Sequence, residues 1–153
     1  MGLRRKGREY ALQILFQFDM TQNQEGLTER FWAQRKVIPA VRDFANLLVE
    51  GVLKNLDQID ALIQKYTQHW SLKRIAIVDR NILRFAIYEI LYMEDIPAKV
   101  TINEAIEITK RYADKDSGAF INGILDKIVK EESRALCKRE AIERDLHAGN
   151  DSL

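Results

Sequence analysis

Cysteine is almost absent from this chain. The single Cys137 excludes an intramolecular disulfide and a cysteine-based zinc site, and it fits a reducing compartment. Histidine is scarce as well: His69 and His147 lie far apart with no ligand spacing around either, so no metal site is expected. Two prolines and seven glycines in 153 residues leave few helix breakers. No run reaches the ~18 uncharged apolar residues of a membrane span. The N-terminus carries no apolar stretch like a signal peptide, so the expected location is the cytoplasm, away from any membrane. There is no phosphate-binding glycine loop and no Gly-x-Ser-x-Gly elbow. Glu104 and Glu107 share a helix face, but a capping role and a surface role explain them better than acid–base work. No catalytic residue, no cofactor and no enzymatic activity are expected.

What is present is apolar patterning at helical spacing. Apolar residues make up 46% and charged residues 31%, the balance of a globular chain. The length suits one domain or two small subdomains. The stretch Leu72 to Met93 has neither Gly nor Pro, and Ile75, Val78, Ile82 and Phe85 recur at spacings of three and four. Ala76, Leu83, Ala86, Ile87 and Ile90 widen that face past half the circumference. Such a helix must be covered on several sides, so it is expected at the centre of a bundle, with Ser71 as its N-cap. His69-Trp70-Ser71 reads as a junction. The expected units are 1–70, an N-terminal helical subdomain; 71–132, a C-terminal one around the apolar helix; and 133–153, a charged tail.

Charge is unevenly placed. Of 24 bases, Arg4, Arg5, Lys6 and Arg8 fall in the first eight residues, leaving 20 bases against 23 acids and a net of −3. A basic end on a slightly acidic body points to an anionic partner for that end. These charges open a helix expected over Arg4 to Met20, where they oppose the macrodipole, and Gly7 weakens the same turn. A site that breaks local rules without local gain is a candidate functional site.

Further along, Thr28 can cap a short helix carrying Phe31 and Trp32. Pro39 can open the next, a long one that Asn55–Asp57 can bend or split. Gly51 within it suggests close contact with a neighbour. Thr101-x-x-Glu104 reads as a capping box. Asp116 or Ser117 can cap the following helix, in which Asn122-Gly123 is locally unfavourable: a hydrogen bond to a neighbouring helix and a ligand contact both explain it. A weakly docked or exposed helix is expected after Lys130, ending in a frayed His147–Leu153.

Two segments, RRKGREYALQILFQFDMTQ at the start and VDRNILRFAIYEILYMEDIPAKVTINEAIEITKRYADKDSGAFINGILDKI over 78–128, resemble the NusB family of bacterial transcription antitermination factors. The helix order between them fits too, and the resemblance covers roughly residues 3–130. It implies an all-α fold of two small three-helix bundles packed together. It also implies binding of boxA RNA in ribosomal RNA leader transcripts, jointly with the small-subunit ribosomal protein NusE. The wider partner is an RNA polymerase antitermination complex in which premature termination is suppressed. Monomer and homodimer both stay open. The resemblance places RNA contacts at Arg4, Arg5, Lys6 and Arg8, and base contacts at Gln13, Phe16, Asp116, Ser117, Phe120 and Asn122. For Phe16 and Phe120, core packing is the stronger expectation. A base that family members often carry before the phenylalanine is Ala119 here. NusE is expected at Asp79, with Ile82 and Arg84 as weaker candidates.

Two other readings compete. The same fold occurs as an RNA-binding module of rRNA cytosine methyltransferases, but no methyl-donor-binding glycine loop is present. A protein–protein adaptor with an incidental basic end is the second.

Overall fold

The computed structural model describes residues 2–67 and 71–151, with the side chains of 133, 136, 137, 139–141 and 149–151 left outside the description. The expected junction residues His69 and Trp70, the side chain of Cys137 and the last two residues therefore fall outside it. The described residues form eight helices and no strand: α1 (Leu3–Thr21), α2 (Leu27–Trp32), α3 (Pro39–Lys54), α4 (Leu56–Tyr66), α5 (Ile77–Tyr92), α6 (Ala98–Tyr112), α7 (Ser117–Glu131) and α8 (Ser133–Asp151). The fold is all-α. Helix α5 packs against α1, α3, α4, α6, α7 and α8. From Asn81 to Ile87 every residue of it is buried, as its apolar circumference demands.

Helix α5 begins later than its apolar pattern suggests. Leu72–Arg74 is a 3₁₀ turn, and Ile75 and Ala76 are extended. Starting at Ile77 puts Asp79 in the first turn, where the macrodipole favours an acid, and removes Lys73 and Arg74 from it. Arg80 Nη1 donates to Leu72 O at 2.9 Å and pins the turn. Ser71 precedes that turn and makes no side-chain cap.

Two other helices begin earlier than their expected caps. Helix α2 is entered from Gly26, and Thr28 bonds its neighbour Glu29 instead. Helix α6 begins at Ala98, which leaves Thr101 one turn inside; its hydroxyl goes to the α5 carboxylate of Glu89, not to a cap. Asp116 does precede α7, without a side-chain cap bond.

The α3–α4 stretch splits where expected. Asn55 Nδ2 donates to Gly51 O at 2.8 Å, competing with the backbone for that carbonyl. Gly51 faces the ring of Tyr88 on α5, and a Cβ there would overlap it. Gly51→Ala is therefore expected to destabilise the fold by at least about 1–3 kcal/mol through overpacking, read as a lower denaturant midpoint. Gly7 plays a similar part between α1 and α3, since a Cβ would come 2.7 Å from Phe44 Cδ1.

Helix α8 is docked more firmly than its sparse apolar residues predict. Ala135 and Lys138 are buried, and Lys138 Nζ donates to Glu89 O at 2.7 Å. Burial pushes that ammonium down to about 8. The helix continues through His147 to Asp151.

Candidate nucleic-acid interface and partner surface

The basic start of α1 is met by acids from the second half of the chain. Its first turn contains no acid of its own. Arg4 Nη2 lies 3.3 Å from Asp95 Oδ2, and both groups are exposed. Arg5 is bidentate on Glu104, with Nε 2.5 Å from Oε2 and Nη2 3.0 Å from Oε1. That pair is partly open, at 34% and 22% side-chain exposure. Its hydrogen bonds hold the Glu104 carboxyl below the usual carboxylate range. Lys6 is exposed and reaches over the Tyr10 ring; among the described residues it meets no carboxylate.

Arg8 differs from these three. Its guanidinium donates from Nε and Nη2 to the two oxygens of Glu89, both at 2.7 Å, with side chains 3% and 0% exposed. Thr101 Oγ1 donates to the same carboxylate at 3.0 Å. Arg8, expected on RNA, is instead an internal tie between α1, α5 and α6. A phosphate could reach it only by opening the core.

The remaining RNA candidates fall in two places. Gln13 is half-buried on α1 beside Tyr112 of α6. Phe16, expected in the core, is 38% exposed, because Ala11, Leu12, Ile14, Leu15 and Phe18 already fill the inward side of α1. On α7, Asp116 and Asn122 are exposed, Phe120 is half-buried and Ser117 is buried. Ala119 is exposed too. Space around Gly123 is open, with nothing within 4 Å of a Cβ. Among the described residues, no neighbouring helix uses that glycine for close approach.

Asp79 joins this second place. A cavity of about 460 Å³ is lined by Asp79, Asp114, Asp116, Ser117 and Phe120 together with Arg74, Ile75 and Ala76. Asp79 Oδ1 is buried with no hydrogen-bond partner. Burial pushes its carboxyl up, the nearby Asp114 charge adds to this, and a hydrogen bond from Ser117 opposes it. Asp79 thus lines the cavity with one carboxylate oxygen buried and unpaired, a cost that a cationic group would offset.

Ile82 and Arg84, expected at the partner surface, are buried instead. After its first turn α5 is covered all round, so a surface inferred from Asp79 does not extend along it. Arg84 donates to Asp60 at 2.8 and 2.9 Å and to Asp19 Oδ2 at 2.9 Å, tying α4, α1 and α5. Burial opposes the Asp19 charge, but Asn81, Arg84 and Arg80 together hold its carboxyl below the ordinary range.

Sequence reasoning missed Asp95, Arg111 and Tyr112, and it read Glu104 as a cap. The one signal available was Glu89, an acid in an apolar helix, which required a basic partner. Among the described residues, no group of three or more His, Cys, Asp or Glu could hold a metal ion, and no helix is long and apolar enough to cross a membrane.

Comparison with known proteins gives consistent likenesses. The family model described as the NusB family matches residues 5–130. The transcription antitermination protein NusB of Thermodesulfovibrio yellowstonii is 46% identical over 152 residues, spanning 92% of this chain and 99% of that one. Among solved structures, T. maritima NusB superposes with a TM-score of 0.76 at 42% identity, over 84% of this chain and 91% of that one. A crystal structure of antitermination factors NusB and NusE in complex with dsRNA gives 0.75 at 26% identity, over 85% and 98%.

Proposed function

The chain belongs to the NusB family, and from that premise we propose that it is an RNA-binding transcription antitermination factor. It binds boxA of ribosomal RNA leader transcripts together with NusE and joins an RNA polymerase complex that resists premature termination. The role is one of binding, not catalysis, and its place is the cytoplasm. The observation that carries this reading is the pairing of a basic helix start, Arg4 to Lys6, with the outward face of α7 around Phe120 and Asn122. The first supplies sequence-independent phosphate attraction. The second supplies the polar and flat side chains that unstacked bases need.

In this reading Arg4, Arg5 and Lys6 meet phosphates, while Gln13, Phe16, Asp116, Phe120 and Asn122 meet bases or sugars. Arg8 and Ser117 position the others. The region 1–70 carries the basic helix start, 71–132 the docking cavity, and α8 braces α5 through Lys138. Asp79 receives a basic side chain of NusE; an ion pair at such an interface sets specificity more surely than affinity.

The deciding experiment is binding of labelled boxA RNA and a scrambled RNA, with and without NusE, over a salt series. Preference for boxA, strengthened by NusE and weakened by salt, supports the reading. NusE binding with no RNA preference in either case would leave an adaptor.

The NusE contact carries its own pH signature. In the free protein the Asp79 pKa lies above its ordinary 3.8, chiefly through burial. A partner cation favours the ionised form, so docking releases a proton where the free carboxyl is still protonated. NusE affinity should therefore fall as pH drops through that raised pKa. Asp79→Asn should bind NusE more weakly at neutral pH and lose this part of the pH dependence, as measured by calorimetry across pH.

A further inference from the structure

Helices α1 and α6 face each other through long side chains rather than close backbone packing. Three rungs lie between them: the ion pairs of Arg5 with Glu104 and of Glu9 with Arg111, and the proximity of Gln13 to Tyr112. Residue numbers rise together on both helices, so the rungs run in one direction along about 12 Å of α1 at 1.5 Å per residue. The first rung belongs to the basic helix start. The last lies at the end of α6, next to the turn that leads into α7.

The middle rung is asymmetric. The Glu9 side chain is sunk at 6% exposure, while that of Arg111 is 55% exposed. Arg111 Nη1 lies 3.3 Å from both Glu9 oxygens. Among the described residues its other guanidinium nitrogens are uncommitted. Its guanidinium carbon sits 5.5 Å from the ring centroid of Tyr112. Tyr112 is half-buried, and its hydroxyl lies near Glu9 and Gln13. Burial and the Glu9 charge push that phenol above its ordinary range, so it stays a neutral hydrogen-bonding group. The start of α7 lies against the same end of α6, since a Cβ on Gly118 would meet Thr109 Oγ1 at 3.4 Å.

We infer that Arg111 and Tyr112 form a nucleotide subsite for single-stranded RNA, bridging the basic start of α1 and the α7 site. Arg111 takes a phosphate with its free fork, and the Tyr112 ring supports the adjoining sugar or base. The inference rests on the RNA-binding reading above. Charge and position favour RNA over a protein partner. An anchored guanidinium over an aromatic ring stands on the line between the two RNA-binding sets, whereas the acidic cavity around Asp79 suits a cationic partner.

The test uses the full chain, labelled boxA RNA and a salt series, with NusE binding and urea unfolding as controls. Arg111→Gln should weaken RNA binding about fivefold at 0.1 M salt and flatten the log–log salt slope by ~0.7, the value for one phosphate contact on a single strand. Arg111→Lys should keep the slope. Tyr112→Leu should weaken binding at constant slope. NusE affinity should hold for both Arg111 variants, and the unfolding midpoint for Arg111→Lys, which keeps a cation beside the sunken Glu9 carboxylate; a merely structural role would not combine a stable fold and intact NusE binding with a changed salt slope in Arg111→Gln. An unchanged affinity and slope for Arg111→Gln, while Arg4, Arg5 and Lys6 together prove essential, would overturn the subsite and leave the RNA reading standing. Loss of NusE binding with RNA binding intact would make Arg111 a protein contact and also overturn it. A wild-type chain without RNA affinity would remove both readings.

Discussion

Replacing Arg8 with alanine is expected to cost about 3–5 kcal/mol of folding stability, the range for breaking a buried ion pair on one side. Glu89 is fully buried, and the Arg8 fork meets both its oxygens. Without Arg8, Thr101 would be the one remaining side-chain donor to that carboxylate among the described residues. Glu89 must then protonate or draw water into a packed core, and either outcome costs stability. Replacing both partners with methionine should be close to neutral or even stabilising, because it also removes the desolvation cost. Urea unfolding of the single and double variants separates the two cases. The comparison matters for function as well. A charge reversal at Arg8 would weaken RNA binding through destabilisation of the fold, and so would not report contact by itself. The double variant keeps α1 in place. If it binds RNA like wild type, Arg8 serves only the fold; if it is stable and loses RNA, Arg8 reaches the ligand after all.

That pair also marks where sequence reading stopped. Local, periodic features were legible. The central position of α5 followed from its apolar circumference, the break near Asn55 from its turn chemistry, and the Gly51 contact from a glycine inside a helix. Family membership was legible because a run of about fifty residues carried it. Side-chain pairing across the molecule was not. Arg5 and Glu104 are 99 residues apart, and no local pattern predicts that Glu104 serves Arg5 when Thr101-x-x-Glu104 also fits a capping box. Helix starts failed for a related reason. Caps were inferred from residue type, yet Thr101 gave its hydroxyl to Glu89 and Thr28 to Glu29. Phe16 was misplaced because spacing alone does not say which of several apolar residues on α1 the core can hold. The exposed Phe16 and the open space at Gly123 leave the two faces proposed for RNA less occupied by the chain itself than the sequence suggested.

Neutralising Arg4, Arg5 and Lys6 together by glutamine should weaken boxA binding roughly 100-fold at 0.1 M salt and flatten the salt slope by about two units. Three phosphate contacts at ~0.7 each give that slope on a single strand, and one decade of salt below 1 M converts it to two decades of affinity. Folding should change little, because Arg4 and Lys6 are exposed and the Arg5 pair is partly solvated. Glu104→Gln makes the complementary test, with the opposite sign. In the free protein the Arg5 fork is already occupied by Glu104, so a phosphate must displace a carboxylate that holds it in the same bidentate manner. A partly exposed pair contributes up to about 1 kcal/mol. Removing the competing charge should therefore raise RNA affinity by up to about fivefold, measured by titration at fixed salt. Glu104 could act in the other direction, by holding the guanidinium where RNA needs it. Glu104→Gln would then weaken binding while leaving the salt slope intact, since the number of phosphate contacts is unchanged. The sign of that single change decides whether the acids facing α1 compete with RNA or prepare its site.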